Sequence, residues 1–302
     1  MLMKTMIGYI ILSLSVLFFS NRSNAQNLAS AEEALKKYNS HNLSELEKFN
    51  LAKTIAKDHP DFSLGLEYGK KALLHAQQLG DKFLVAQAYE ELGLNERLLG
   101  NKTKAMDATL KALELFEELG DKVYMAGSYG QLGSNLMTDG EYRQAIKYFK
   151  LSRSIYSSEK DGRKYTIVLL NLGEAYRLNL QLDSAIHSFK EVLSLNDTLN
   201  NQIIEGYARG NLGMALRSKG QLDQAKTELT RANEILTELG DPYSVSVYTA
   251  DLAQISMAEG KPSLAEEQLL TAYYMAKREG LKEQIRDFSE MLDSYYEGRN
   301  DF

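Results

Sequence analysis

Cysteine is absent from the 302 residues, and proline occurs only three times. A chain without cysteine holds no disulfide, no thiolate zinc site, no cysteine nucleophile and no lipid-modified cysteine. Sparse proline leaves long stretches able to run as helix. Pro60, Pro242 and Pro262 each fall at an expected helix start, where a missing N–H matters little. Histidine is almost as scarce: His41, His59, His75 and His187 neither cluster nor take metal-ligand spacing. Basic residues are outnumbered, 35 Lys and Arg against 41 Asp and Glu, and the net charge of −6 argues against nucleic acid as a partner. Gly93 and Gly100 follow helix spacing and are not directly followed by lysine and hydroxyl, so no phosphate loop is present. Gly127-Ser128-Tyr129-Gly130 has its leading glycine one residue too close for a nucleophile elbow and sits in mid-helix. With no catalytic set, metal site or cofactor site to be found, a non-enzymatic protein is expected.

A long apolar run occurs once. Lys4 supplies a positive start, Ile7 to Phe19 form an apolar run of 13 residues, and Ser23-Asn24-Ala25 places small residues at a cleavage site. Thirteen residues fall short of the roughly 20 that span a bilayer. Residues 1–25 are therefore expected to be a secretory signal cleaved before Gln26, and residues 26–302 one elongated helical-repeat domain. Such a protein would be periplasmic or secreted, with no stable membrane insertion after cleavage.

What the chain does have is a period. Leu92-Gly93 returns at a step of 40 as Leu132-Gly133, Leu172-Gly173 and Leu212-Gly213, and in weakened form as Leu252-Ala253. Twelve residues after each glycine position stands alanine: Ala105, Ala145, Ala185, Ala225 and Ala265. Each unit opens on a short acceptor side chain, Asp81, Asp121, Asp161, Asn201 or Asp241, suited to cap the orphan N–H groups of a helix. Fixed-period self-similarity of this kind marks a stack of supersecondary units, each covering its neighbour's apolar face.

Each clean unit reads as two helices of about 18 residues, with a turn at Gly100, Gly140, Leu180, Gly220 or Gly260 and a glycine near Gly80, Gly120, Gly240 or Gly280 at the end. Ahead of them come a short leading helix around Ala29 to Tyr38 and a degenerate pair from about Leu43 to Gly80, with its turn at His59-Pro60-Asp61. Behind them, Leu281 to Tyr296 form a single closing helix with Leu292 and Tyr296 in the core phase. Two junctions are irregular, Ser157 to Gly162 and Asn196 to Asn201. There Gly162 and Asn200 either replace the capping glycine or mark a bend or binding loop.

Leu-Gly, an apolar residue three positions on (Leu136, Tyr176, Leu216), alanine at twelve and a large apolar residue at sixteen (Phe149, Phe189, Leu229, Leu269) together resemble the tetratricopeptide repeat. The resemblance spans about residues 43–298. It departs in period, 40 against the usual 34, and such long repeats look like those of the maltose-regulon activator and of peptide-sensing regulators. The resemblance implies an all-α, right-handed superhelical solenoid of antiparallel helix pairs, about six pairs plus a C-terminal capping helix. Its first helices would line a concave groove for a peptide or protein segment.

On each first helix the stripe opposite the Leu-Gly pair is then the groove side. It carries Leu94 and Arg97 in one unit, Met137 in the next, Asn171 and Arg177 in the third, and Tyr207, Asn211, Met214 and Arg217 in the fourth, with Gln87, Glu90, Gly127, Gly130 and Asp251 along the same stripe. Arg97, Arg177 and Arg217 share one repeat position. They either grip a ligand carboxylate or carbonyls through forked hydrogen bonds or pair with nearby acids, as Arg177 could with Glu174; their loss is expected to leave the fold intact. Asn171 and Asn211 either bond a peptide backbone or cap a neighbouring turn. The expected function is an exported protein- or peptide-binding scaffold, with the sensor ectodomain of a truncated signalling protein as the alternative.

Overall fold

The computed structural model describes residues 25–40, 42–159 and 161–299. The expected signal segment therefore lies, apart from Ala25, outside the described residues. Fourteen α-helices and no strand are found among the described residues. A leading helix α1 (Ala25–Tyr38) precedes six pairs: α2 (Glu45–Asp58) with α3 (Phe62–Leu79), α4 (Lys82–Leu98) with α5 (Lys102–Leu119), α6 (Lys122–Thr138) with α7 (Tyr142–Ser158), α8 (Gly162–Leu178) with α9 (Leu182–Leu199), α10 (Gln202–Ser218) with α11 (Leu222–Glu238), and α12 (Pro242–Ala258) with α13 (Pro262–Arg278). Helix α14 (Lys282–Arg299) closes the series. None of these helices is long and apolar enough to cross a membrane.

The expected caps do their work at the first helices. Asp81 accepts from the N–H groups of Phe83 and Leu84, Asp121 from Tyr124, Asp161 from Lys164, Asn201 from Ile204 and Asp241 from Ser244. Second helices from α5 onward open differently: the capping residues Asn101, Glu141, Gln181, Gln221 and Lys261 make no side-chain cap bond. Helix α2 carries a reciprocal capping box between Ser44 and Glu47. Pro242 and Pro262 are first helical residues, whereas Pro60 lies ahead of the Asp61 cap of α3.

The repeating alanines are why the pairs close so tightly. Ala105, Ala145, Ala185, Ala225 and Ala265 are all fully buried, with Thr109, Phe149, Phe189 and Leu229 fully buried and Leu269 nearly so one turn on. The glycine of the Leu-Gly pair receives that second residue. A methyl group on Gly133 would stand 2.8 Å from the Phe149 ring, and one on Gly213 2.6 Å from Leu229 Cγ. In the closing helix the core phase differs by one residue from the expectation. Tyr295, not Tyr296, is buried, because its hydroxyl donates to the Pro262 carbonyl at 2.9 Å, while the half-buried Tyr296 donates to Glu266 at 2.7 Å.

Two non-glycine residues stand in for turn glycines. Asn200 caps α9 at φ 46°, the task expected of it, and Leu180 takes φ 58° where other units have Gly100, Gly140, Gly220 and Gly260. Gly162, by contrast, does not close α7. It is the first residue of α8, because Asp161 accepts from Lys164 N at 3.0 Å and starts the new helix there. Leu180 is 75% exposed, so its strain is offset by no burial. Leu180→Gly should therefore stabilise the protein by about 1 kcal/mol, the usual penalty for a side chain in the left-handed region less the entropy glycine adds to the unfolded chain. Urea unfolding measures this, and a variant less stable than the wild type would count against it.

The chain divides into two compact units, one ending at Ala175 and one beginning at Tyr176. In each, helices consecutive in sequence pack together, and first helices of successive pairs also touch: α2 with α4 and α4 with α6 in the N-terminal unit, α10 with α12 in the C-terminal unit.

Candidate functional site

Direct contact between first helices decides what the polar stripe becomes. In the N-terminal unit, Lys53 Nζ on α2 donates to Gln87 Oε1 on α4 at 3.0 Å, and Gln87 Nε2 donates to the Tyr124 hydroxyl on α6 at 2.8 Å. One amide thus ties three successive first helices. The Tyr124 ring is fixed in turn by stacking on Phe116 at 4.8 Å and by the edge of Phe83 at 4.9 Å. Burial lowers the pKa of Lys53 and raises that of Tyr124, the latter against the opposing effect of the bond from Gln87.

Glu90 lies one turn beyond Gln87 and is only partly exposed. Its Oε1 lies against α6, 3.2 Å from where a methyl group on Gly127 would stand. Burial, reinforced by Glu91 and Asp121 and opposed by Lys164 and Lys53, pushes its pKa from 4.5 to about 8. A carboxyl raised in the folded state favours folding in its neutral form. That contribution is whole below about pH 4.5 and is lost as the pH rises to about 8. Glu90→Gln, neutral throughout, should flatten the fall in stability over this window and be the more stable protein at pH 8. Urea unfolding at pH 5 and pH 8 tests it, and parallel pH profiles for the two proteins would refute it.

The C-terminal unit has its own pairings. Arg217 on α10 donates through Nε to Oδ1 of Asp251 on α12, and Asp251 is fully buried. Tyr248 on α12 donates to Asn211 on α10 at 3.1 Å, and the Tyr207 hydroxyl donates to Asp241 at 2.7 Å. The Tyr248 ring fits where Gly210 has no side chain: a methyl group there would stand 2.1 Å from Tyr248 Cζ. Eighty residues earlier, two repeats back, Gly130 faces Val168 in the same relation, at 4.0 Å.

These positions correct the picture of an open groove. Leu94, Arg97, Met137, Tyr207, Asn211 and Met214 are buried, because the stripe they belong to is in large part the interface between neighbouring first helices. Asn171, Arg177 and Arg217 keep partial exposure. Of the three arginines at one repeat position, Arg217 is held by an acid from the next first helix, so its loss would not leave the fold intact. Lys53 and Tyr124, which Gln87 joins in the N-terminal unit, lie off the stripe and off the repeat motif. Among the described residues no group of three His, Cys, Asp or Glu side chains could hold a metal ion.

Two stretches of the chain match family models described as tetratricopeptide repeat, residues 124–197 and 207–235. No curated protein sequence matches it. Among solved structures it is similar to aspartyl phosphate phosphatase F from Bacillus subtilis, with a TM-score of 0.69 and 17% identity over 90% of this chain and 68% of that one. The apo form of the quorum sensor NprR from B. thuringiensis is similar with a TM-score of 0.68 and 15% identity, over 93% of this chain and 79% of that one. A Rap protein complexed with competence and sporulation factor gives a TM-score of 0.65 and 12% identity, over 89% and 80%. At these identities the likeness is one of fold, and the word phosphatase describes that neighbour alone.

Proposed function

Because the chain is a helical repeat protein of the tetratricopeptide type, we propose that it is an exported, non-enzymatic scaffold that holds a peptide or protein segment against the faces of its first helices. The observation that carries this reading is the row Lys53, Gln87 and Tyr124, which strings hydrogen-bonding groups across three successive first helices. An extended segment presents N–H and C=O groups at regular intervals, and a row of this kind matches them better than a face of solvated charges would. Partial exposure at Glu90, Gly127, Gly130 and Asn171 leaves that row approachable. Export is supported by the charged start, apolar run and small residues within 1–25. The Rap protein complexed with competence and sporulation factor offers a precedent for a segment held by this fold.

The test is capture. Residues 26–302, used as bait in envelope extract of the producing cells, should enrich one partner. Asn171→Ala combined with Arg177→Ala should reduce that enrichment by about tenfold, which needs only about 1.4 kcal/mol, with helical content unchanged. Undiminished capture by the double variant would place binding elsewhere. The likeness to a quorum sensor favours a second reading, the sensor ectodomain of a signalling protein. An in-frame apolar run of about 20 residues encoded directly after Phe302 would support that reading.

A further inference from the structure

The notch at Gly127 has two oxygen groups turned into it that the protein itself leaves unanswered. A methyl group on Gly127 would stand 3.2 Å from Glu90 Oε1 and 3.4 Å from the Tyr156 hydroxyl, so α4 and α7 deliver both to a position on α6 that has no side chain. Tyr156 is only 5% exposed, and its hydroxyl has no hydrogen-bond partner among the described residues. Nor does the Glu90 carboxyl have one. A hydroxyl on a nearly buried side chain and a half-buried carboxyl converging on one spot make a place for a donor from a ligand.

We propose that this notch is a subsite for a primary ammonium group carried by the bound segment, with the Glu90 carboxylate as its counter-ion and the Tyr156 hydroxyl as a second acceptor. It rests on the reading of the first-helix face as the binding surface. An ammonium is a compact charge with three rotatable donors, which suits two acceptors approaching from different helices.

The surrounding charges leave the place open to a cation. Lys53 from α2 is engaged by Gln87, and Lys164 from α8 lies 3.5 Å from Asp161 and over the Tyr156 ring, so neither is ion-paired with Glu90. Glu91 on the same helix and Asp121 at the start of α6 add negative charge, and the Tyr124 hydroxyl on α6 is taken by Gln87. Burial, reinforced by Glu91 and only partly offset by Lys164 and Lys53, lets the carboxyl hold its proton to about pH 8. A bound ammonium completes that offset, so binding near neutral pH releases the proton of Glu90 to solvent.

The experiment follows the Glu90 carboxyl carbon and the Gly127 amide by NMR in the full mature chain. Three probes are added in turn: Nα-acetyl-lysine methylamide, whose charge is on the side chain; alanine methylamide, whose charge is an N-terminal amine; and the neutral isostere Nα-acetyl-norleucine methylamide. At least one charged probe should lower the Glu90 titration midpoint by a pH unit or more, a tenfold change in proton affinity, and move the Gly127 amide; which one does so identifies the source of the ammonium. The norleucine probe should do neither. Glu90→Gln should abolish the Gly127 response, and Tyr156→Phe should weaken it by about 2- to 10-fold, as for one hydrogen bond. If neither charged probe outperforms norleucine, or if Glu90→Gln responds as wild type does, the subsite does not exist. Because the probes need no native partner, this result stands apart from success or failure of the capture experiment.

Discussion

Arg217→Ala should destabilise the C-terminal unit by about 3 kcal/mol, far beyond what removal of a surface arginine does. The partner of Arg217, Asp251, is fully buried in α12, and its second oxygen, Oδ2, has no hydrogen-bond partner in the described structure. Without the guanidinium, that carboxylate keeps its desolvation penalty and loses its counter-ion. The estimate sits at the low end for buried pairs because the Arg217 side chain is 22% exposed and water would enter in its place. Removing both charges should behave differently: Arg217→Met with Asp251→Leu exchanges the pair for apolar packing and should recover most of the loss. Guanidinium titration followed by circular dichroism reads both variants. An alanine variant as stable as wild type would mean that Arg217 contributes nothing to the fold and is free for a ligand after all.

Gly210→Ala is the second large effect, and its sign is the informative part. In an exposed helix interior the exchange is worth up to about 1 kcal/mol of added stability. Here the new methyl group would stand 2.1 Å from Tyr248 Cζ and 2.6 Å from its hydroxyl, well inside contact distance. The ring is nearly fully buried and cannot yield without breaking its bond to Asn211. Overpacking by one methyl group typically costs about 1 to 3 kcal/mol, so a net loss of about 2 kcal/mol is expected. Tyr248→Ala in the same chain should relieve the clash, leaving the double variant no less stable than Tyr248→Ala alone. A stabilised Gly210→Ala protein would show that the ring has somewhere else to go.

The repeat was legible because the residues that build one pair are local and periodic. Alanine at 105, 145, 185, 225 and 265 and the acceptor caps from Asp81 to Asp241 each recur at 40, and each is found in the role its spacing implied. The candidate site was legible only in part. Gln87, Glu90 and Gly127 stood on the expected stripe, but whether a stripe residue faces solvent or a neighbouring helix depends on how closely first helices approach. That distance is set by pairs of side chains about 40 residues apart, such as Gly210 with Tyr248 and Arg217 with Asp251. Tyr207 and Met214 were therefore read as groove residues and found in the interface. Lys53 and Tyr156 went unnoticed because each contributes through a contact with no counterpart in the other repeats.

The fit of Tyr248 into the space at Gly210 has a meaning beyond packing. The recurring letters alone would let any unit stack on any other, since each offers the same alanines, caps and Leu-Gly pair. At this junction α12 brings a tyrosine ring and α10 the space that takes it, while Val168 meets Gly130 at an earlier junction with far less bulk. Side chains that break the period thus serve as addresses. They make this junction fit one neighbour better than another, although every unit offers the same alanines and caps.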